Sequence, residues 1–234
     1  MLRLIRVSVA VVLFLMVARP VMAGSKADDL QPSDGMFSEP VSLDYYLALH
    51  GALLAEHGYR RCQMLTVPSF EPEWAVYLIR DGSGSAQVIL KTFKTQLWLQ
   101  MPYNRPNASG GGSSPRSAPI SLPLVERTVA VVPQAAADLL ERVWATMLAR
   151  VKYPKAMTLG TDGTTYYMSH WQWGVGVRSG KTWLPDAHSN AGSLVTIGTA
   201  LREYALAGDD QRGGVEVRVR RDAASLLQRL ENMR

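Results

Sequence analysis

The chain has 234 residues, with 25 Lys plus Arg against 20 Asp plus Glu, a formal net charge of +5 and a single cysteine, Cys62. One cysteine excludes an intramolecular disulfide, so the fold must be held by its apolar core, for which 47% hydrophobic residues supply the material. The positive balance suits a nucleic-acid partner only if it is clustered on the folded chain.

At the N-terminus, Arg3 and Arg6 precede an apolar run from Val7 to Val17, and Val21-Met22-Ala23 offers small residues around a cut after Ala23. That order of parts predicts a secretion signal over residues 1–23. The run falls well short of the ~20 residues a membrane-crossing helix needs, and Pro20 interrupts it. The residue directly after the cut is Gly24 and not a cysteine, so no lipid or other stable membrane anchor is expected after cleavage. Cleavage removes Arg3, Arg6 and Arg19 and no acid, which leaves 22 basic against 20 acidic residues and a net charge of +2. The remaining excess lies at the C-terminus, where Arg212, Arg218, Arg220, Arg221, Arg229 and Arg234 outnumber Glu216, Asp222 and Glu231. It reads as a solvated arginine face, and no nucleic-acid partner is expected.

A polar leader, 24–40, reads as a loose arm. From Ser42 the spacing predicts a helix with Leu43, Tyr46, Leu47, His50, Leu53, Leu54 and His57 on one side and Gly58 at its end. Extended stretches follow at Gln63–Val67, Trp74–Arg80 and Ala86–Lys94; Asp81-Gly82-Ser83-Gly84-Ser85 joins the last two as a hairpin that runs to about Gln100. The segment 102–119 is dominated by Pro, Gly, Ser and Asn and reads as a mobile loop inside one domain, 41–208. Cys62 reads as a buried, inert thiol at the start of a strand, because no nucleophile signature surrounds it.

The second half begins with a strand at Val125–Val132 and a helix opened by Pro133, with Ala136, Leu140, Val143, Trp144, Met147, Leu148 and Val151 inward and Pro154 at its end. Ala156–Gly160 and Thr164–Val177 read as strands with Thr161-Asp162-Gly163 as the turn between them. A helix over Asn190–Ala207 turns Leu194, Ile197, Leu201 and Tyr204 inward and is capped by Gly208. The basic tail, 209–234, alternates Val215, Val217 and Val219 as a short strand before a helix near Asp222–Met233. Strands clustered in hairpins with three long helices predict an α+β fold with a mainly antiparallel sheet.

Three stretches carry a resemblance: Pro68-Ser69-Phe70-Glu71-Pro72-Glu73-Trp74-Ala75-Val76-Tyr77, Leu159-Gly160-Thr161-Asp162-Gly163-Thr164-Thr165-Tyr166-Tyr167 and Gly180-Lys181-Thr182-Trp183-Leu184-Pro185. With them the chain, over about 42–207, resembles a group of uncharacterised proteobacterial proteins of unknown function, many of them exported. The resemblance implies a common fold and brings no activity, cofactor or catalytic residue.

Motifs with a mechanism are near misses. Gly180-Lys181-Thr182 ends like a phosphate-binding loop, but Val175 stands where the first glycine belongs, and Trp183-Leu184-Pro185 blocks the helix that must follow. Gly174 and Gly176 begin a dinucleotide fingerprint that Ser179 breaks, and no serine has Gly-x-Ser-x-Gly context. His50 and His57 are seven apart, whereas helical metal sites use three or four, so no metal and no cofactor are expected. His170 and His188, with Asp186 or Glu203, are the acid–base candidates, because an imidazole needs a positioned carboxylate for that work. Against them stands a His170 on an exposed strand face and a His188 that merely precedes a helix cap. The densest feature is Trp171, Trp173, Arg178, Lys181 and Trp183, a candidate binding surface since Trp and Arg dominate interface hot spots. Trp171 and Trp173, two apart, should stand side by side.

The leading expectation is therefore an exported, periplasmic or secreted, non-enzymatic protein that binds a macromolecule, such as an inhibitor or immunity-type partner of another envelope or secreted protein. The alternatives are an envelope hydrolase using His170 or His188 with Asp186, and a purely structural envelope module.

Overall fold

A computed structural model describes residues 28–33, 36, 44–55, 60–81, 84–101, 121–154 and 162–233. The expected signal segment, the loop at 102–119, the strand expected over Ala156–Gly160 and the His57-Gly58 helix end lie outside them. Six strands form one antiparallel sheet: β1 (Arg60–Pro68), β2 (Trp74–Arg80), β3 (Ala86–Phe93), β4 (Val125–Val132), β5 (Thr164–Gln172) and β6 (Gly176–Trp183), in the order β4-β3-β2-β1-β5-β6. The class is α+β, as the pattern of elements predicts.

Both faces of the central strands are covered, which is why β2 reads as a continuous apolar run and not as alternation. Cys62, Met64, Trp74, Val76, Leu78, Val88 and Leu90 point to one face, beneath α2 (Gln134–Leu148), α3 (Asn190–Leu206) and α4 (Asp209–Asn232). Leu65, Ala75, Tyr77 and Ile89 point to the other, beneath a short helix, α1 (Asp44–Leu49), its π-helical continuation His50–Leu54, and a 3-10 turn, Leu97–Gln100. Ser189 caps α3 by accepting the Gly192 amide at 2.9 Å. Arg80, at the end of β2, ties the sheet to α2 through Asp138 and Glu141, each at 2.6 Å. Burial pushes the Cys62 thiol well up, in keeping with an inert thiol.

Five expectations are corrected. Val215, Val217 and Val219 are not a strand: residues 209–232 form one 24-residue helix, and Gly208 sits at its start. Val219, Ala223, Leu226, Leu227 and Leu230 are buried at helical spacing while Val217 is 67% exposed, so packing against α2 and α3 overrides the alternation. The C-terminal segment thus belongs to the main core and is not an appended tail. The strand expected over Thr164–Val177 is broken at Trp173-Gly174-Val175, where Gly174 and Gly176 take positive φ and turn β5 back as β6. The hairpin expected to reach Gln100 ends at Phe93 and gives way to the 3-10 turn. In α1 and its π-helical continuation the buried set is Tyr45, Leu49, Leu53 and Leu54, while Leu47 and His50 face outward.

The fifth correction concerns the leader. Residues 28–33 do not hang free: Gln31 bridges Lys181 on the outer edge of β6, with amide-to-carbonyl distances of 2.8 and 2.7 Å. Leu30 is fully buried, its carbonyl accepts the Lys152 amide, and Asp29 pairs with Arg150 and Lys152. Gly180 makes the approach possible, since a Cβ there would lie 3.0 Å from Leu30 Cβ and 2.9 Å from Val151 Cγ2. Leu30 buries enough surface to hold a segment whose composition alone reads as loose. Among the described residues no helix is long and apolar enough to cross a membrane.

Candidate functional site

The α1 face of the sheet carries a cleft of about 520 Å3 at the end where β1 leaves the sheet and β5 enters it. Tyr45 and Tyr46 come from α1, Trp98 from the 3-10 turn, Ser69 and Phe70 from the exit of β1, Thr165 from β5 and Trp183 from β6. Thr165 and Trp183 are cross-strand partners, so their side chains share this face. Tyr45 is the hinge of the aromatic wall: its ring meets Tyr46 edge-to-face at 5.3 Å and Trp98 at 5.4 Å.

The wall is fixed from behind by Glu73, which is fully buried. Its Oε1 accepts the Tyr45 hydroxyl at 2.7 Å and the Trp98 amide at 3.3 Å, and its Oε2 accepts the Leu97 amide at 2.8 Å. One carboxylate therefore caps the 3-10 turn that carries Trp98 and holds the tyrosine against it. Burial, and then the Glu73 charge beside it, raise the Tyr45 phenol well above its ordinary range, so it stays a donor. On the opposite wall, Ser69 and Gly163 clasp each other: the Ser69 amide and hydroxyl both donate to the Gly163 carbonyl, at 2.9 and 2.8 Å. Gly163 has φ +146°, and a Cβ on it would fall 2.6 Å from Leu184 Cδ1 and 2.9 Å from Trp183 Nε1. Only a glycine lets Trp183 lie so close. Leu184 itself takes φ +39°, a strained value for a bulky residue, and stacks over that clasp.

The acid–base candidates are not joined. His170 is buried under the helices, not on an exposed strand face, and its Nδ1 donates to the Arg61 carbonyl. Burial lowers its pKa. Asp186 instead accepts the His188 backbone amide at 2.8 Å, in the loop that leads to the Ser189 cap, while the exposed His188 imidazole makes no hydrogen bond to the described residues. Glu203 pairs with Arg218.

The five residues of the expected binding surface are divided. Register puts Trp171, Lys181 and Trp183 on the cleft face and Arg178, opposite His170, on the helix face. Trp171 and Trp173 do stand side by side, 5.8 Å apart at 71°, with Arg61 over Trp171 at 5.0 Å. Trp173, in the turn, is 78% exposed. That pair and Trp183 lie at opposite ends of the β5–β6 ladder, about 20 Å apart at roughly 3.3 Å per residue. Of the five, only Trp183 lines the cleft. The arginines of α4 are engaged within the chain: Arg212 with Asp209, Arg218 with Glu203, Arg220 with Glu216, Arg221 with Asp222, and Arg229 with the Ser193 hydroxyl. Among the described residues no three His, Cys, Asp or Glu side chains converge as metal ligands.

Sequence reasoning missed Tyr45, Glu73 and Trp98. The adjacent pair Tyr45-Tyr46 was the available signal, since one of two neighbouring aromatics on a short amphipathic helix must point away from the main buried stripe. No family model and no curated protein matches the chain, and no solved structure matches its fold.

Proposed function

We propose that the chain is an exported binding protein that holds a component of the cell envelope in the cleft between α1 and the end of β1. The observation that carries this reading is the cleft itself: an aromatic wall braced by a buried carboxylate, facing polar groups with bonding capacity to spare. A rigid concave surface of this size and mixed character is the usual form of a ligand site. The order of charged, apolar and small residues in 1–23 supports export. The separate engagements of His170 and Asp186 favour binding over hydrolysis.

Expression of the full chain in a Gram-negative host, cell fractionation and N-terminal sequencing test the first half. Material in the periplasmic fraction beginning at Gly24 is expected, and uncleaved protein confined to the cytosol refutes export. Sedimentation of the purified chain with isolated envelopes tests the second half. Trp98→Ala should lower the bound fraction, and equal binding by the variant refutes a role for the cleft.

A further inference from the structure

The geometry points to a short neutral saccharide as the ligand of the cleft, an inference that rests on the binding role proposed above and names its ligand class. The first argument is charge. Among the described residues neither lysine nor arginine lines the cleft, and Asp162 is the one charged group there. A phosphate or carboxylate ligand would meet the like charge of Asp162 and, among the described lining residues, no compensating cation.

The second argument is the bonding capacity left over. Tyr46, Thr165, Trp183 and Asp162 all line the cleft, and their hydroxyls, indole N–H and carboxylate make no hydrogen bond to the described residues. A purely apolar ligand would bury them unpaired, at about 1–3 kcal/mol each. A ligand dense in hydroxyls satisfies donors and acceptors alike. A proline-rich peptide, the other habitual occupant of aromatic grooves, presents carbonyl acceptors and few N–H donors, so Asp162 would stay unpaired.

The third argument is shape. Phe70 is 78% exposed and Trp98 41% exposed, so aromatic surface is open at the mouth. The weakly positive C–H bonds on one side of a pyranose ring complement the negative face of an aromatic ring. Stacking on Trp98 with hydrogen bonds to Asp162 and Trp183 from the opposite wall would hold a sugar by its face and its rim together.

Saturation-transfer NMR and intrinsic fluorescence of the full chain with cellotriose, maltotriose and chitotriose test this, beside glucose 6-phosphate and a decaproline peptide. At least one neutral trisaccharide should bind saturably, and more tightly than the phosphate or the peptide. Trp183→Phe and Asp162→Asn, both at the cleft surface, should each weaken it about five- to tenfold, and Trp98→Ala by tenfold or more. Three outcomes overturn the inference: none of the trisaccharides binds, decaproline or glucose 6-phosphate binds more tightly, or the Trp183 and Asp162 variants bind as the parent does. If the trisaccharides fail while envelope binding still depends on Trp98, the ligand class falls and the binding role stands. If both fail, the binding role falls as well.

Discussion

Glu73→Ala is the sharpest test of how the cleft is built. The substitution strands three donors: the buried Tyr45 hydroxyl, the buried Leu97 amide and the half-buried Trp98 amide, whose bond is the longest at 3.3 Å. An unpaired buried donor costs about 1–3 kcal/mol, so the two buried ones dominate. The space left by the side chain adds to the loss, while relief of a desolvated carboxylate subtracts from it. The expected net loss is about 3 kcal/mol, or about 6–12 °C in Tm for a domain of this size. Glu73→Gln retains one acceptor oxygen and should cost less; Tyr45→Phe removes a single bond and should cost least, about 1 kcal/mol. Urea unfolding followed by tryptophan fluorescence and far-UV circular dichroism gives all three values. The order is the test. A loss below 1 kcal/mol for Glu73→Ala, or a Tyr45→Phe variant as unstable as it, would refute the bracing role. Folded Glu73→Gln should also bind envelopes less well, because Trp98 rides on the turn the carboxylate caps.

Three further outcomes are expected. His170 has a pKa below its ordinary 6.5 because burial disfavours the imidazolium, with Arg61 and Arg178 adding to that and Glu141 and the Arg61 carbonyl opposing it. The folded state then binds fewer protons than the unfolded one, so stability present above pH 6.5 falls as pH drops through the lowered value, by up to about 1.4 kcal/mol per pH unit. His170→Gln should flatten that acid limb, and an unchanged limb in urea titrations from pH 7 to 4.5 counts against the assignment. Gly213→Ala and Gly214→Ala should each stabilise by about 0.5–1 kcal/mol, since both lie inside α4 with nothing within 4 Å of an added Cβ; destabilisation would favour a strand there. Gly180→Ala should push Leu30 off the edge of β6, seen as faster amide hydrogen exchange at Gln31 and Lys181, and unchanged protection would contradict the close packing.

The sheet was legible because its signals are local. Trp74–Arg80 and Ala86–Phe93 are apolar runs joined by a Gly/Ser turn, and their register follows from the turn between them. The helix faces of Leu140, Val143, Trp144 and Met147, and of Leu194, Ile197 and Leu201, were legible for the same reason. Val215 to Val219 misled because period-2 alternation over five residues is satisfied by chance within a helix whose buried stripe begins at Val219. The docked leader was illegible because its anchor is one leucine and a glycine about 150 residues away. The cleft was hidden for a similar reason. Its walls come from five separate stretches, and Glu73, which holds two of them, looks in sequence like any charged residue in a Pro-rich turn.

That scattered origin bears on which surface binds. Three aromatic residues of the cleft are fixed by their neighbours: Tyr45 and Trp98 by the buried Glu73, Trp183 by its strand and the Gly163 clasp. The rotamer and loop entropy of ordering them is spent in folding, so a ligand need not supply it again. Trp173 is the reverse case, a 78% exposed ring on a three-residue turn whose neighbours are glycine and an exposed valine. The preorganised wall therefore loses less free energy to ordering when it binds, and it is there that substitution should separate binding from folding.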